Sequence, residues 1–525
     1  MNWKLLPKKS DDLVEQLLFN RGIKSDLEKE KFFHPKLTDF RKEFKIPGIS
    51  KASERIKKAI KNGELIIAYG DYDVDGISGA AVLYQGLTET GAKVLPYIPH
   101  REKEGYGLSK LGLEFARDSG ATIVITTDTG IVAFEQAGFA KELGIDLIIT
   151  DHHQTLNNQF PDAFSVIHSL NICGAAVAWC LVSDLLPEKA NELLDYVALA
   201  TVSDMMPLIG VNRALVFEGL KRLNHTSRVG LKALFADAGL SLGSISSYEI
   251  GHIIAPRLNA MGRLEHAIDS LRLLCTKDPA KARKLAQLVT ETNEQRKMLT
   301  AEAVEEARIM VNGSKNYLHV VSSKKWSSGI VGLVAGRVCD ETGCSTVAIA
   351  EGAEYSKGSA RAGNGDNIVE LLRKCEDLLE AVGGHTGAAG FTIKTSNIEL
   401  FKKKLSTLAK TTITKASFLE IEAEVKSKDL KLALVKKIDS FEPFGISNPK
   451  PTLATFNIRL SDLRTVGAGK HLKGKADGIE FIAFSRGNMI NILEGGQLVN
   501  LAYTLEIDRW DNREKLQLKV NDLQL

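Results

Sequence analysis

Between about residues 52 and 225, short apolar runs alternate with longer amphipathic stretches. LIIAYG, KVLPYIP, TIVITTD, DLIITDH and SVIHS have the length and β-branched content of strands, and ISGAAVLYQGLTE and VAFEQAGFAKELG between them look helical. That alternation predicts a parallel α/β sheet. Ligand sites in such sheets lie beyond the carboxyl ends of the strands, so the residues that follow each run are where chemistry is expected.

The flanking patterns differ. Residues 1–48 are charged and helix-prone (LVEQLLFNRGI, LEKEKFFHP) and are interrupted by Pro35 and Pro47, which suggests a leader packed on something larger. Asp278-Pro279 opens a helical run with apolar positions at 285, 288, 289, 299, 304 and 307 that ends near Gly313. At roughly 33 residues it is long for a globular helix and reads as a connector. A second α/β unit follows, with strand-like YLHVVSS and STVAIAE, helix-like SGIVGLVAGRVCDETG, and the glycine-rich GGHTGAAGF. The rest is mostly alternating strands (FLEIEAEV, ATFNIRLSDL, IEFIAF, LVNLAYTLEI, KLQLKV) with one helix near 428–440, the pattern of a small β-barrel. The expected organisation is a leader (1–48), a parallel-sheet catalytic domain (49–225), a helical connector (226–314), a second α/β domain (315–412) and a barrel (413–525).

Composition narrows the class without naming a partner. The 525 residues are 44% hydrophobic and 25% charged, and 68 Lys+Arg against 65 Asp+Glu leave a net charge of +3. A nucleic-acid surface would therefore have to be a local basic face. Cys173, Cys180, Cys275, Cys339, Cys344 and Cys375 form no CxxC pair, which predicts reduced, mostly buried thiols in a cytoplasmic protein. MNWKLLPKKSDD has no apolar signal region and no apolar run reaches ~18 residues, so neither a signal peptide nor a membrane span is expected.

LIIAYGDYDVDG changes the picture most. Asp71, Asp73 and Asp75 alternate, so in an extended segment all three side chains project toward one face. A solvated acidic turn is the plain alternative, and a divalent cation the chemical one. An EF-hand loop also opens D-x-D-x-D-G, but its twelfth position would be Val82 where a bidentate Glu is required. Other ends carry matching chemistry: Asp128 after TIVITT, Asp151, His152 and His153 after DLIIT, and Asp204 near the end of DYVALATVSD. Each Asp alone could be a helix cap. Together, each at a carboxyl-side end of one α/β unit, they converge on a single rim. Asp73, Asp75, Asp128, His152 and Asp204 would then supply oxygen and nitrogen ligands for two divalent cations, Mn²⁺ or Mg²⁺, with Asp128 bridging. No cysteine joins the set, which argues against structural zinc. His153 could donate to a phosphate oxygen or the leaving oxygen. Hydrolysis of a phosphate ester or anhydride is the chemistry this favours.

DYDVDG, TTDTG, DHH and VSDMMPL, in that order, resemble the four motifs of the DHH phosphoesterases, and GGHTGAAGF resembles the signature of their DHH-associated second domain. Within that superfamily the chain is most similar to the RecJ family. LLFNRGI with FFHPKL, PHREKEGYGL, APRLNAMGR, KGSAR and FEPFGISNPKP are further similar blocks spread along its length. The resemblance implies a metal-dependent 5′-to-3′ exonuclease that releases 5′-mononucleotides from single-stranded DNA. It implies a terminal-phosphate pocket built from Arg101, Ser359 and Arg361 with Arg257 or Arg263, and His153, Asp128 and His385 as catalytic groups, His385 facing the site across the interdomain cleft. It also implies an oligonucleotide-binding (OB-type) barrel, in which HLKGK, Lys450, Arg464 and Trp510 offer charge and a ring. The expected partner is single-stranded DNA with a 5′-phosphorylated end, fed by a single-strand-binding protein or a helicase, and a monomer is the expected state. Departures from the family pattern are Ser327 where His is usual, Tyr69 where some relatives carry a metal-binding His, and Ala362 where Ser is common. No further domain is expected after the barrel. Asp71 is left in a supporting role. A DHH-type phosphodiesterase for short oligonucleotides or cyclic dinucleotides, and a catalytically silent single-strand-binding scaffold, are the alternatives.

Overall fold

The computed structural model describes residues 2–313, 317–363, 365–409, 418–508 and 514–525; Trp510 lies outside them. Five parallel strands form the first sheet, in the order Lys93–Tyr97, Leu65–Gly70, Ala121–Thr127, Asp146–Asp151, Ser165–His168. The chain runs from the second strand to the first, then crosses to the third. The sheet's winding therefore reverses between Leu65–Gly70 and Ala121–Thr127, and the carboxyl-end crevice at such a reversal is where α/β folds bind ligands. Alternation sorts the strand residues between two cores. Ile66 and Ala68 pack with the helices Val74–Glu89 and Gly174–Leu185, while Ile67 and Tyr69 face the helices Lys110–Asp118 and Phe134–Glu142.

The 33-residue helix Pro279–Val311 starts where the sequence predicts, with the Asp278 carboxylate accepting the N–H groups of Ala280 and Lys281. Its two halves belong to different cores. Leu285, Ala286 and Val289 are buried with the first sheet's helices, whereas Ala303, Val304 and Ala307 pack against Val321, Trp326 and Val334 of the second domain. One continuous helix thus fixes both domains. The second domain is a mixed sheet in the order Leu379–His385, Ala388–Lys394, Tyr355–Arg361, Ser345–Ala350, Leu318–Ser323. GGHTGAAGF forms the hairpin of its first two strands.

Among the described residues the last domain is a six-stranded sheet, five strands of which close into a barrel where Leu453–Val466 pairs with both His471–Ala476 and Leu498–Asp508, with Ala423–Glu424 paired alongside Leu453–Val466. The first part of the leader packs on this barrel, while Leu37, Phe40, Phe44 and Ile46 pack on the catalytic core. Leu17, Leu18 and Phe32, from the helices Leu13–Asn20 and Asp26–Phe33, are buried with Val435, Phe441 and Leu453. The strand Asn2–Leu5 pairs in parallel with Phe418–Ile421, and the Trp3 indole donates to Asp522 at 2.9 Å.

One buried side chain joins this unit to the catalytic domain through hydrogen bonds. Arg213, 2% exposed, donates to the carbonyls of Phe32 (2.8 Å), Glu442 (2.8 Å) and Pro443 (3.3 Å), and its guanidinium lies 3.8 Å from the Phe32 ring centroid. Its removal takes one donor from each of three carbonyls, of which Pro443 keeps the Asn448 amide at 2.9 Å. Arg213→Met is expected to destabilise the chain by about 2–4 kcal/mol and to speed limited proteolysis between the catalytic domain and the barrel. Unchanged denaturant midpoint and cleavage pattern would show that the clasp contributes nothing.

Candidate metal centre and terminal-phosphate pocket

The strand Leu65–Gly70 delivers the DYDVDG turn to the crevice. Asp73 caps the helix Val74–Glu89, one oxygen accepting from the N–H groups of Asp75 and Gly76 at 3.0 and 3.1 Å. Asp75, the second residue of that helix, is buried, and its two oxygens accept the backbone N–H groups of Gly174 and Ala175, each at 2.7 Å. The start of the helix Gly174–Leu185 therefore fixes Asp75 and offers it favourable dipole charge. Only glycine fits at 174: a Cβ there would meet the Asp128 Cα at 2.6 Å. Asp128 follows the third strand in a left-handed conformation (φ 61°), with its N–H on the Thr150 carbonyl.

His152 brings the set together. Its Nε2 lies 3.1 Å from Asp128, 3.6 Å from Asp75 and 3.6 Å from Asp204. Two further groupings have ligand atoms within 4.8 Å of one another: Asp75, His152 and Asp204, and Asp71, Asp73 and Asp128. All five sequence-nominated ligands converge, with Asp73 and Asp75 in different triads. Asp71, which the sequence reading left in support, joins the Asp73 triad. Tyr69 does not: it lies beneath the turn, donating to the Gly107 carbonyl and accepting from the Ser109 N–H.

Three atoms test whether these residues suit a cation. Asp71 Oδ1, Asp128 Oδ1 and His152 Nε2 are buried and have no hydrogen-bond partner in the chain. Each such orphan costs about 1–3 kcal/mol unless something satisfies it. A divalent cation satisfies carboxylate and imidazole together, and an oxygen-rich set with one nitrogen suits Mn²⁺ or Mg²⁺. The electrostatics agree. Burial, then neighbouring carboxylates, push Asp71 and Asp128 well above the ordinary range. Burial also raises Asp75, opposed by His152, and lifts Asp204 to about 8, assisted by Asp75 and Asp73. Burial lowers His152, favouring the neutral ligand form.

His153 is tuned oppositely. Burial works against its charge, but its Nδ1 lies 2.8 Å from Asp151 and that bond with the Asp151 charge lifts it to about 9. Asp151 itself is locked by the N–H groups of Ile131, His152 and His153. The His153 Nε2 meets the Tyr106 hydroxyl at 3.1 Å. The sequence names Asp151 in the DHH run and carries Tyr106 within PHREKEGYGL, but its local pattern assigns neither a role.

Across the crevice the chain concentrates cations. The block APRLNAMGR docks directly on the metal turn: the Asn259 side chain accepts the Val74 N–H, and a Cβ on Gly262 would strike the Tyr72 carbonyl at 2.3 Å. Arg263, donating to the Gly329 carbonyl, is held down to about 10 by burial and by the charges of Arg101, Arg296 and Arg361. Arg361 donates to Ser359 Oγ at 3.1 Å, and Arg101 lies 4.9 Å from the Tyr72 ring centroid. Among the described residues none of these four arginines has a carboxylate ion-pair partner. Arg257 stands apart, on the Ile253 carbonyl and Thr290. Arg296, whose buried Nε lacks a partner, lies close enough to Arg263 for its charge to lower it. His385 is exposed at the tip of its hairpin, with its Nδ1 accepting from Gly387; no described hydrogen bond or ion pair links it to the carboxylates. Ser327 accepts the Gly329 N–H.

A switch-point cluster of aspartates completed by an Asp-His-His strand end defines a hydrolase of the DHH class. The DHH family N-terminal domain matches residues 65–201 and the DHHA1 domain residues 314–411, and the RecJ OB domain matches residues 421–522. The chain belongs to the RecJ family. It is 35% identical, over 97% of its length, to the single-stranded-DNA-specific exonuclease RecJ of Bacillus subtilis and covers 67% of that protein. Its structure is similar to crystal structures of RecJ from Thermus thermophilus in complex with Mn²⁺ (TM-score 0.87, 27% identity) and Mg²⁺ (0.81, 26%). In each case all of this chain is covered, with 79% and 78% of those chains.

The raised carboxyls set a pH test for metal-stripped protein. A carboxyl raised on folding stabilises below its unfolded pKa and loses that contribution as pH climbs through the folded value. Asp204 at about 8 and His153 at about 9 act in the same sense. In chelator the melting temperature is expected to fall between about pH 6.5 and pH 9, the span from the unfolded histidine value to the folded one. Saturating Mn²⁺ should raise it most at the alkaline end and narrow the gap. A metal-free melting temperature that rises with pH over this range would contradict the clustered geometry.

Proposed function

We propose that the chain hydrolyses single-stranded DNA from a 5′-phosphorylated end, releasing 5′-mononucleotides. The observation that carries this reading is the pairing of a cation-seeking carboxylate pool with four unpaired arginines on the opposite wall. Asp71, Asp73, Asp75, Asp128, His152 and Asp204 would hold two divalent cations, Mn²⁺ or Mg²⁺. When bound, these supply an activated water and neutralise charge developing on the scissile phosphate. The chain's own groups do the rest. Arg101, Arg263, Arg296 and Arg361 with Ser359 grip the terminal phosphate, a guanidinium fork matching its oxygens bidentately. That grip sets which phosphodiester reaches the carboxylates. Asp151 keeps His153 protonated and oriented, and its exposed edge can donate to a phosphate or leaving oxygen. Tyr106 lies against that edge. Family resemblance also supports a cytoplasmic monomer supplied with single strands by a binding protein or helicase, and His385 as a group that approaches the substrate from the second domain. Among the described residues no helix is long and apolar enough to cross a membrane.

Graded 5′-phosphorylated single strands with Mn²⁺ test the substrate class; dinucleotides cleaved as well as long strands would favour a short-oligonucleotide phosphodiesterase instead. Asp128→Ala is expected to abolish turnover while low-salt strand binding survives, and near-normal turnover would remove Asp128 from the metal centre. Arg361→Gln should weaken kcat/KM about ten- to a hundredfold on 5′-phosphorylated strands, the size of one charge-assisted contact. It should change little on 5′-hydroxyl strands. Equal loss on both would place Arg361 outside the phosphate pocket.

A further inference from the structure

A strip of exposed rings crosses the seam between the helical connector and the barrel. It begins at Ile250–Ile254, a π-helical turn, a distortion that recurs at functional positions. Tyr248, 53% exposed, stacks on His252 with centroids 4.3 Å apart and planes within 17°. Lys519, from the last barrel strand Lys515–Gln524, lies between Tyr248 and Phe484, its Nζ 5.9 and 5.7 Å from their ring centroids. It also keeps an ion pair with Glu506 at 3.4 Å. Phe484 is 49% exposed, and His471 meets it edge-on at 5.1 Å.

The strip is joined to the catalytic rim from two sides. The barrel segment that carries Phe444 and Ile446 touches both: the Leu208 N–H, four residues beyond Asp204, donates to the Ile446 carbonyl at 2.7 Å, and the Ser247 hydroxyl donates to the Phe444 carbonyl. On the other side the helix Ala255–Leu264 continues directly from the π turn, so His252 and Asn259, whose side chain holds the metal turn, are separated by about 10 Å of helix. Two solvent-facing rings from different domains with an ammonium between them match the alternation of flat base and charged phosphate in a single strand. A duplex, with its base faces stacked internally, offers nothing to such a strip.

We propose that Tyr248, His252, Phe484 and Lys519 form a stacking rail that holds the single strand beyond the catalytic centre and makes affinity depend on strand length. This rests on single-stranded DNA being the substrate. The test compares wild type with Y248A, F484A and the double variant, and with Y248F as the conservative control. Binding is measured with EDTA present to hold hydrolysis off, using 5′-phosphorylated strands that carry 2-aminopurine at successive positions, and turnover with Mn²⁺ on a dinucleotide and on a long strand. Each alanine is expected to weaken long-strand binding about tenfold, the scale of one base–ring stack. It should also remove 2-aminopurine quenching at internal positions and leave quenching at the first nucleotide, dinucleotide turnover and melting temperature unchanged; Y248F should behave as wild type. Unchanged long-strand affinity in the double variant, or equal losses on dinucleotide and long strand, would overturn the rail. Wild type that neither binds nor cuts single strands would overturn the substrate reading itself, and the rail with it.

Discussion

The structure depends on a repulsion it cannot relieve alone. Four crowded carboxyls, Asp71, Asp75, Asp128 and Asp204, share one crevice with Asp73, and burial and their neighbours raise all four. Such a cluster destabilises a chain unless positive charge enters it. The sheet places it where strand order reverses, and the elements around it hold carboxylates that would otherwise move apart: a helix start for Asp75, a cap for Asp73, a left-handed turn for Asp128.

The opposite wall has the mirror problem. Arg101, Arg296 and Arg361 depress the protonation of Arg263 as the carboxyls raise one another's. The two pools feel each other, Arg101 lowering Asp71 and Asp73 raising Arg263, but among the described residues no arginine of this wall forms an ion pair with a carboxylate of the other. On the function proposed above, a cation would relieve one wall and a phosphate the other, and a phosphodiester lying between them would feel both.

Much of the carboxylate wall was legible because its residues punctuate strand ends, and punctuation is local. Asp73, Asp75, Asp128, His152 and Asp204 needed only the α/β alternation to be placed on one rim. Asp71 was underrated because its partner Asp128 comes from another strand, and only their shared geometry shows both orphaned oxygens. The arginine wall was harder to read. Arg257 and Arg263 are six residues apart on a helix and so face different sides of it, and sequence alone cannot say which lies near Arg101 and Arg361; in the structure it is Arg263. Arg296 lies within the charged run NEQRK on the long helix and carries no local mark. The strand Tyr355–Arg361 escaped detection because YSKGSAR is small and polar, its pairing supplied by neighbours on both sides rather than by its own apolar content.

The burial of Leu17, Leu18 and Phe32 against the barrel has a consequence in time. These side chains leave the ribosome before the catalytic domain does, yet the strands that cover them are made about 400 residues later. At about 5–20 residues per second the leader waits on the order of half a minute with its apolar face uncovered. The catalytic sheet can assemble during that wait, since its contacts lie within its own stretch of chain. Arg213 then receives the leader and the barrel together, through Phe32 and Glu442. Synthesis is thereby ordered so that the seam flanking the catalytic crevice closes only when the barrel strands have been translated, and a chain interrupted early carries a sticky, unclosed end into the aggregation and proteolysis machinery of the cell.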